Sequence, residues 1–225
     1  MLGVNARPAV AKVVAPVVRG LARAGVTPDM VTITGTLGAV VGSVVLMATG
    51  HLFWGTVVVT LSVLLDLLDG ALARARGGGS LFGAVLDSTG DRVADAAVFG
   101  SLIWWYSGPG DNRLLVLLAL LCLVFAVLTS YIKARAEGVG VRCDVGIVER
   151  LERLLLVLFG TGLTGLGVPY ALHVGLWALL AGSAITVGQR LHAVHRAAAG
   201  RSLAATAAPA ETPREPHPQP PASAP

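Results

Sequence analysis

Long apolar runs, each able to cross a bilayer, constrain this chain more than any other feature of it. A hydrocarbon core about 30 Å thick takes roughly 20 helical residues to cross. Within that core every backbone N–H and C=O must be satisfied inside the segment, so a chain dominated by such runs is expected to be helical throughout. The sequence offers six of them: about Met30 to Thr49, Phe53 to Ala75, Leu81 to Ser107, Arg113 to Ala136, Ile147 to Gly167 and Pro169 to His195. The fifth is the weakest, because Gly160, Gly162, Gly165 and Gly167 interrupt it.

Composition excludes the alternative of an ordinary soluble domain, since 54% of residues are hydrophobic and 13% charged. Twenty-eight glycines against 5% aromatics suit helices that approach closely through small side chains. Gly38-x3-Gly42 has the spacing of a helix-packing motif and leaves open whether it serves packing within one chain or dimerisation. Cys122 lies in an apolar run and Cys143 in a charged loop, which gives neither a disulfide framework nor a Cys-based metal site.

The expected architecture is an all-α integral membrane protein of six transmembrane helices preceded by an N-terminal amphipathic helix. Residues 1–25 form that interfacial helix, with Arg7, Lys12, Arg19 and Arg23 among Val, Ala and Leu, and they lack the pattern of a cleaved signal peptide. Residues 26–197 form the helical domain, and 198–225 a Pro- and Ala-rich tail expected to be disordered. Of 17 Lys and Arg residues, only Arg113 falls in the loops assigned to the outside, near His51, Gly110 and Gly167. The bias places both termini in the cytoplasm, at the cell membrane.

Four acids stand out against this apolar background: Asp66 and Asp69 in the second run, Asp87 and Asp91 in the third. An Asp near the centre of an inserted helix opposes insertion by ~2.5–3.5 kcal/mol, so four together need compensation. The spacings of three and four put each pair on one helix face. Converging carboxylates repel unless a cation joins them, and hard divalent ions such as Mg2+ or Mn2+ favour such oxygen ligands, so two metal ions are expected. Gly70, Ala73 and Gly83 leave space beside the acids, and Arg74 lies where a guanidinium could engage phosphate.

The order Asp66-x2-Asp69-Gly70-x2-Ala73-Arg74-x8-Gly83-x3-Asp87-x3-Asp91 resembles the complete signature of the CDP-alcohol phosphotransferase family. The resemblance implies a six-helix membrane enzyme, commonly a homodimer, in which Asp66, Asp69, Asp87 and Asp91 hold two divalent metals and Asp91 is the catalytic base. It also implies that Gly70, Arg74 and Ser80 contact the CDP group, and that Asp29, Met30, Val31 and Thr32 close over the nucleotide. The donor would be CDP-diacylglycerol and the leaving group CMP.

Further segments, FGAVLDSTGDR, SYIKARAEG, ERLERLLLVL and QRLH, are similar to the branch of that family whose acceptor is inositol phosphate. Carried over by position, Ser130, Lys133, Arg153 and Arg190 would bind the acceptor phosphate, and the product would be phosphatidylinositol phosphate. The bland alternative for each cation is a positive-inside anchor reaching the headgroups. Asp95 continues the Asp87–Asp91 face and reads either as a partner to the site or as a helix-stabilising contact. Two rival functions remain at this point: a phosphatidylglycerophosphate or cardiolipin synthase of the same family, and a cation transporter. A transporter would spread its acids through several spans instead of two consecutive ones.

Overall fold

The helices begin where the sequence supplies caps. In a computed structural model, which describes residues 15–207, the Thr27 hydroxyl accepts from the Met30 N–H at 3.3 Å and Pro28 takes the first turn of α2, Pro28–Val41. Helix α1 covers residues 15–23; residues 1–14 of the expected interfacial segment and residues 208–225 of the tail lie outside the described residues. Ser80 caps α4, Leu81–Ser107, by accepting from Gly83 N–H at 2.8 Å. Asn112 caps α5, Arg113–Gly138, by accepting from Leu115 N–H at 3.0 Å. Glu152 reaches back from the first turn of α6, Arg150–Gly165, to accept from the Glu149 N–H at 3.2 Å. Helices α3, Leu52–Ala75, and α7, Ala171–Ala207, complete the set.

The first apolar run continues past α2 through a wide π turn at Gly42–Leu46 and a tight turn at Met47–Thr49, and Gly50 ends it at a φ of 87°. Four helical stretches are long and apolar enough to cross a membrane: Pro28–Thr49, Leu52–Ala75, Arg113–Gly138 and Ala171–Ala199. The other two expected spans form helices that do not meet this measure. Helix α4 carries Asp87, Asp91, Arg92 and Asp95 in its first fifteen residues. Helix α6 has 16 residues, about 24 Å at 1.5 Å per residue, and starts at Arg150 instead of Ile147. At the other end, α7 runs on to Ala207, beyond His195 where the sixth run was expected to stop.

Helix α3 packs on α2 and α6, α4 on α2 and α5, and α7 on α5 and α6. The core between them is built from Met47, Val59, Phe99, Leu102, Leu118, Leu154, Val157, Leu176 and their neighbours. A smaller apolar cluster, Val18, Val31 and Leu72, holds α1 against α2 and α3 at the end that carries the acids. Large apolar side chains such as Leu61, Trp104, Leu117, Val174 and Trp177 face outward, as expected where lipid replaces water.

Glycines set how closely α2 and α3 approach. A Cβ at Gly38 would stand 2.5 Å from Ser62 Oγ, and one at Gly42 2.7 Å from Val58 Cγ1. The Gly38-x3-Gly42 motif therefore serves packing within this chain. One turn earlier, a Cβ at Gly35 would stand 2.8 Å from Asp66 Oδ1, so the same seam also fits the first acid of the site.

Candidate active site

Two helices bring the acids together, as their spacing requires: Asp66 and Asp69 from the last turns of α3, Asp87 and Asp91 from the first turns of α4. The Gly77-Gly78-Gly79 turn reverses the chain between them, with φ of 95° at Gly77 and 129° at Gly78, values that glycine adopts without strain. The carboxylates are close enough to act on one another electrostatically. Asp87 acts on Asp66, Asp69 and Asp91, and Asp66 acts on Asp69 and Asp91.

Two groups from elsewhere answer this charge. The Thr32 hydroxyl of α2 donates to Asp69 Oδ2 at 2.5 Å. Arg150, the first residue of α6, lies between α3 and α4 with Nη2 2.9 Å from Asp66 Oδ2 and 2.8 Å from Asp91 Oδ1. The sequence marks Arg150 only as one of several cations opening the fifth run; its position as the bridge depends on where α6 packs.

The donor set fits a divalent metal by its chemistry: four carboxylates on neighbouring helices, with a single guanidinium bridging Asp66 to Asp91, make a site for a hard cation. Among the described residues no three carboxylates, imidazoles or thiols are drawn in tightly enough to ligate one ion. Asp66, Asp69, Asp87 and Asp91 would hold the ions, with Arg150 beside Asp66 and Asp91.

A cavity opens on each side of the acid row. One, of about 580 Å³, is lined by Thr27, Asp29, Thr32, Asp69, Gly70, Ser80, Gly83 and Asp87 among others. Of the residues expected to meet the CDP group, Asp29, Thr32, Gly70 and Ser80 face it, and three do not. Val31 is buried in the small apolar cluster with Leu72, and Met30 points outward. Arg74 is exposed and folds back toward Gly70, while the arginine that lines this cavity is Arg76, two residues on.

The second cavity, of about 350 Å³, lies beyond Asp91 and is lined by Ser130, Lys133, Arg150, Arg153 and Arg190 together with Ser88, Glu137 and Glu149. All four expected acceptor residues meet here, each held in place. Lys133 Nζ is 2.9 Å from Asp144 Oδ1, and the ammonium holds the Asp144 carboxyl below the usual carboxylate range. Arg190 donates from Nε to the Val145 carbonyl at 2.9 Å and from Nη1 to the Thr129 carbonyl. Arg153 Nη2 donates to Asp95 Oδ2 at 2.7 Å. Ser130 Oγ donates to the Ala126 carbonyl at 3.0 Å.

Comparison with known proteins identifies relatives of this arrangement. A family model described as CDP-alcohol phosphatidyltransferase matches residues 25–188. A phosphatidylinositol phosphate synthase of Mycobacteroides abscessus is 50% identical over 195 residues, covering 86% of this chain and 89% of the relative. The synthase of Mycolicibacterium smegmatis is 51% identical over 191 residues, 84% of this chain and 86% of the relative. The Mycobacterium tuberculosis phosphatidylinositol phosphate synthase crystallised with CDP-DAG superposes with a TM-score of 0.77 at 51% identity, over 81% of this chain and 94% of that one. The same enzyme crystallised with manganese and citrate also gives a TM-score of 0.77, at 52% identity over 80% and 88% of the two chains.

Proposed function

Since this chain belongs to the CDP-alcohol phosphatidyltransferase family, we propose that it transfers the phosphatidyl group of CDP-diacylglycerol to inositol phosphate, forming phosphatidylinositol phosphate and CMP. One observation carries the reading: two cavities meet at a single row of acids, Asp69 and Asp87 bordering the first and Asp91 the second. Two substrates that enter from opposite sides arrive with their reacting atoms on the same row of carboxylates.

The first cavity takes the CDP group, with Thr27, Asp29, Gly70, Ser80 and Gly83 as its small and polar lining and Arg76 as a cation for phosphate oxygens. The reaction is metal-dependent: Asp66, Asp69, Asp87 and Asp91 would hold the divalent ions, which would supply positive charge for the pyrophosphate and for departing CMP. Thr32 fixes the Asp69 carboxylate by its hydrogen bond. Asp91, bordering the second cavity, accepts the proton of the acceptor hydroxyl as its oxygen attacks phosphorus. Lys133, Arg153 and Arg190 meet the acceptor's phosphate from three helices, and Ser130 adds a hydroxyl.

Six crossings with both termini in the cytoplasm accord with the distribution of Lys and Arg. Helices α4 and α6 then cross beside the other four, their charges gathered at the cytoplasmic end where the acids lie. A homodimer is part of the same reading, by the family resemblance.

The test is turnover by purified protein given CDP-diacylglycerol and Mn2+ or Mg2+, with CMP release measured against inositol phosphate, free inositol and glycerol 3-phosphate. Inositol phosphate is expected to be used at least ~100-fold better than free inositol, because removing the phosphate leaves several cations unmatched in a partly desolvated site. Equal use of the two, or preference for glycerol 3-phosphate, overturns the acceptor assignment.

A further inference from the structure

Asp95 stands one helical turn beyond Asp91 on α4, outside the four-acid row, and lines neither cavity. It is 2% exposed and so is its partner Arg153, the two joined at 2.7 Å between α4 and α6. Those helices pack chiefly on other neighbours, α4 on α2 and α5, α6 on α3 and α7, so the ion pair ties the two packing units together beneath the second cavity.

The bonding within the pair is incomplete in an informative way. Asp95 engages Arg153 through Oδ2 alone, while its Oδ1 and the Arg153 Nε are buried without a hydrogen-bond partner. Arg–carboxylate pairs frequently close as a fork, two parallel N–H···O bonds. Here one amino group is held and the other, Nη1, has no hydrogen bond among the described residues. Arg153 still lines the acceptor cavity, so the guanidinium is gripped from below with its remaining donors uncommitted. Arg92 joins the same carboxylate, with Nε 3.8 Å from Asp95 Oδ2 and Nη2 3.6 Å from Asp91 Oδ2. A ladder of alternating charge thus runs Arg153, Asp95, Arg92, Asp91, Arg150, Asp66, from the acceptor cavity to the first acid.

We infer that Asp95 is a positioning residue for the acceptor: it fixes the Arg153 guanidinium at the floor of the second cavity so that its free donors meet the incoming phosphate. This rests on the acceptor reading above and adds to it a residue that does not touch the substrate. An Arg side chain has several rotatable bonds, and holding it in one geometry before the acceptor arrives lowers the cost of binding. The contribution belongs to acceptor binding: Asp95 does not line the CDP cavity and reaches the four acids only through Arg92.

The experiment is a double-mutant cycle on Asp95→Asn and Arg153→Gln in full-length protein, with KM and kcat for inositol phosphate, KM for CDP-diacylglycerol, and Mn2+ affinity by calorimetry. Asp95→Asn is expected to raise the acceptor KM about tenfold, with kcat falling less than about threefold and the donor KM and Mn2+ affinity within about twofold of the parent. In the Arg153→Gln background the same change should have little further effect on acceptor KM. If Asp95→Asn does not yield folded protein, Asp95→Glu replaces it, keeping the charge and moving the carboxylate by one methylene; several-fold elevation of acceptor KM is expected there too.

An unchanged acceptor KM in the Asp95 variant beside a raised one in Arg153→Gln overturns the positioning role and leaves the acceptor site standing. Effects that add in the double variant, or a loss of donor and metal binding in parallel with acceptor binding, also overturn it, since they mark a general structural tie. No change of acceptor KM in Arg153→Gln itself overturns the acceptor site and the positioning role together.

Discussion

Asp66, Asp69, Asp87 and Asp91 could be singled out from sequence because a carboxylate inside an apolar run is costly enough to require a purpose. Replacing any one by Asn removes a hard anionic ligand or the base, and each variant is expected to lose at least ~100-fold in turnover. Chelation of the divalent ion should abolish activity in the parent, and added Mn2+ or Mg2+ should restore it. Near-parental turnover in any two of the four Asn variants would remove the metal cluster as the site. Arg150 makes a different prediction, because its guanidinium spans Asp66 and Asp91 where an ion would be held. Arg150→Gln should bind Mn2+ several-fold more tightly by calorimetry, as a competing cation is gone, and should turn over more slowly, as Asp91 loses a group that orients it. Weaker Mn2+ binding would show instead that Arg150 organises the acids for the metal. Arg150 was not legible as a bridge, and neither was the place of Arg76 in the lining of the first cavity. A long cation's destination depends on which helix packs beside it, and the spacing along its own helix carries no such information.

At the level of elements, caps and small residues carried most of the readable signal. Thr27-Pro28 and Ser80 start the helices that carry the site, and both also line the first cavity, so one residue type serves capping and access together. The length of α6 was harder to read, whereas α4 spans Leu81–Ser107 as the third run was expected to. Hydropathy credited both with full spans, whereas the charges of α4 and the late start of α6 at Arg150 follow from the polar pocket these two helices share. The glycine seam between α2 and α3 yields a stability prediction. Gly42→Val places branched carbons where a Cβ alone would stand 2.7 Å from Val58 Cγ1, and should destabilise by about 1–3 kcal/mol, measured as a lower Tm in detergent. Gly35→Ala should instead act on function, since the added methyl meets Asp66 Oδ1. Turnover and Mn2+ affinity are expected to fall together while the Tm changes less than in Gly42→Val. A Gly42→Val protein as stable as the parent would mean that α2 and α3 separate without cost.

On the scale of the whole molecule, the acids, the cations and the connections that hold them gather at one end of the helices, which we propose faces the cytoplasm on the distribution of Lys and Arg. Thiol labelling tests the assignment, but native Cys143 is a poor reporter. It is 0% exposed, packed with Ala136 and Val141 against Val194 and Ala197 of α7, a burial that its charged surroundings in the sequence did not announce. Val145, 40% exposed in the same connection, and Tyr170, 74% exposed between α6 and α7, are accessible positions at opposite ends of α6. In a background with Cys122 and Cys143 replaced by Ser, Tyr170→Cys should react with a membrane-impermeant maleimide in intact cells, and Val145→Cys only after the membrane is opened. The reverse pattern would put the acids outside, away from any cytoplasmic supply of nucleotide-linked lipid. Reaction of both in intact cells would mean that α6, at about 24 Å, does not separate its ends across the bilayer. The experiment therefore decides both the orientation of the active site and whether a helix of 16 residues completes a crossing in this bundle.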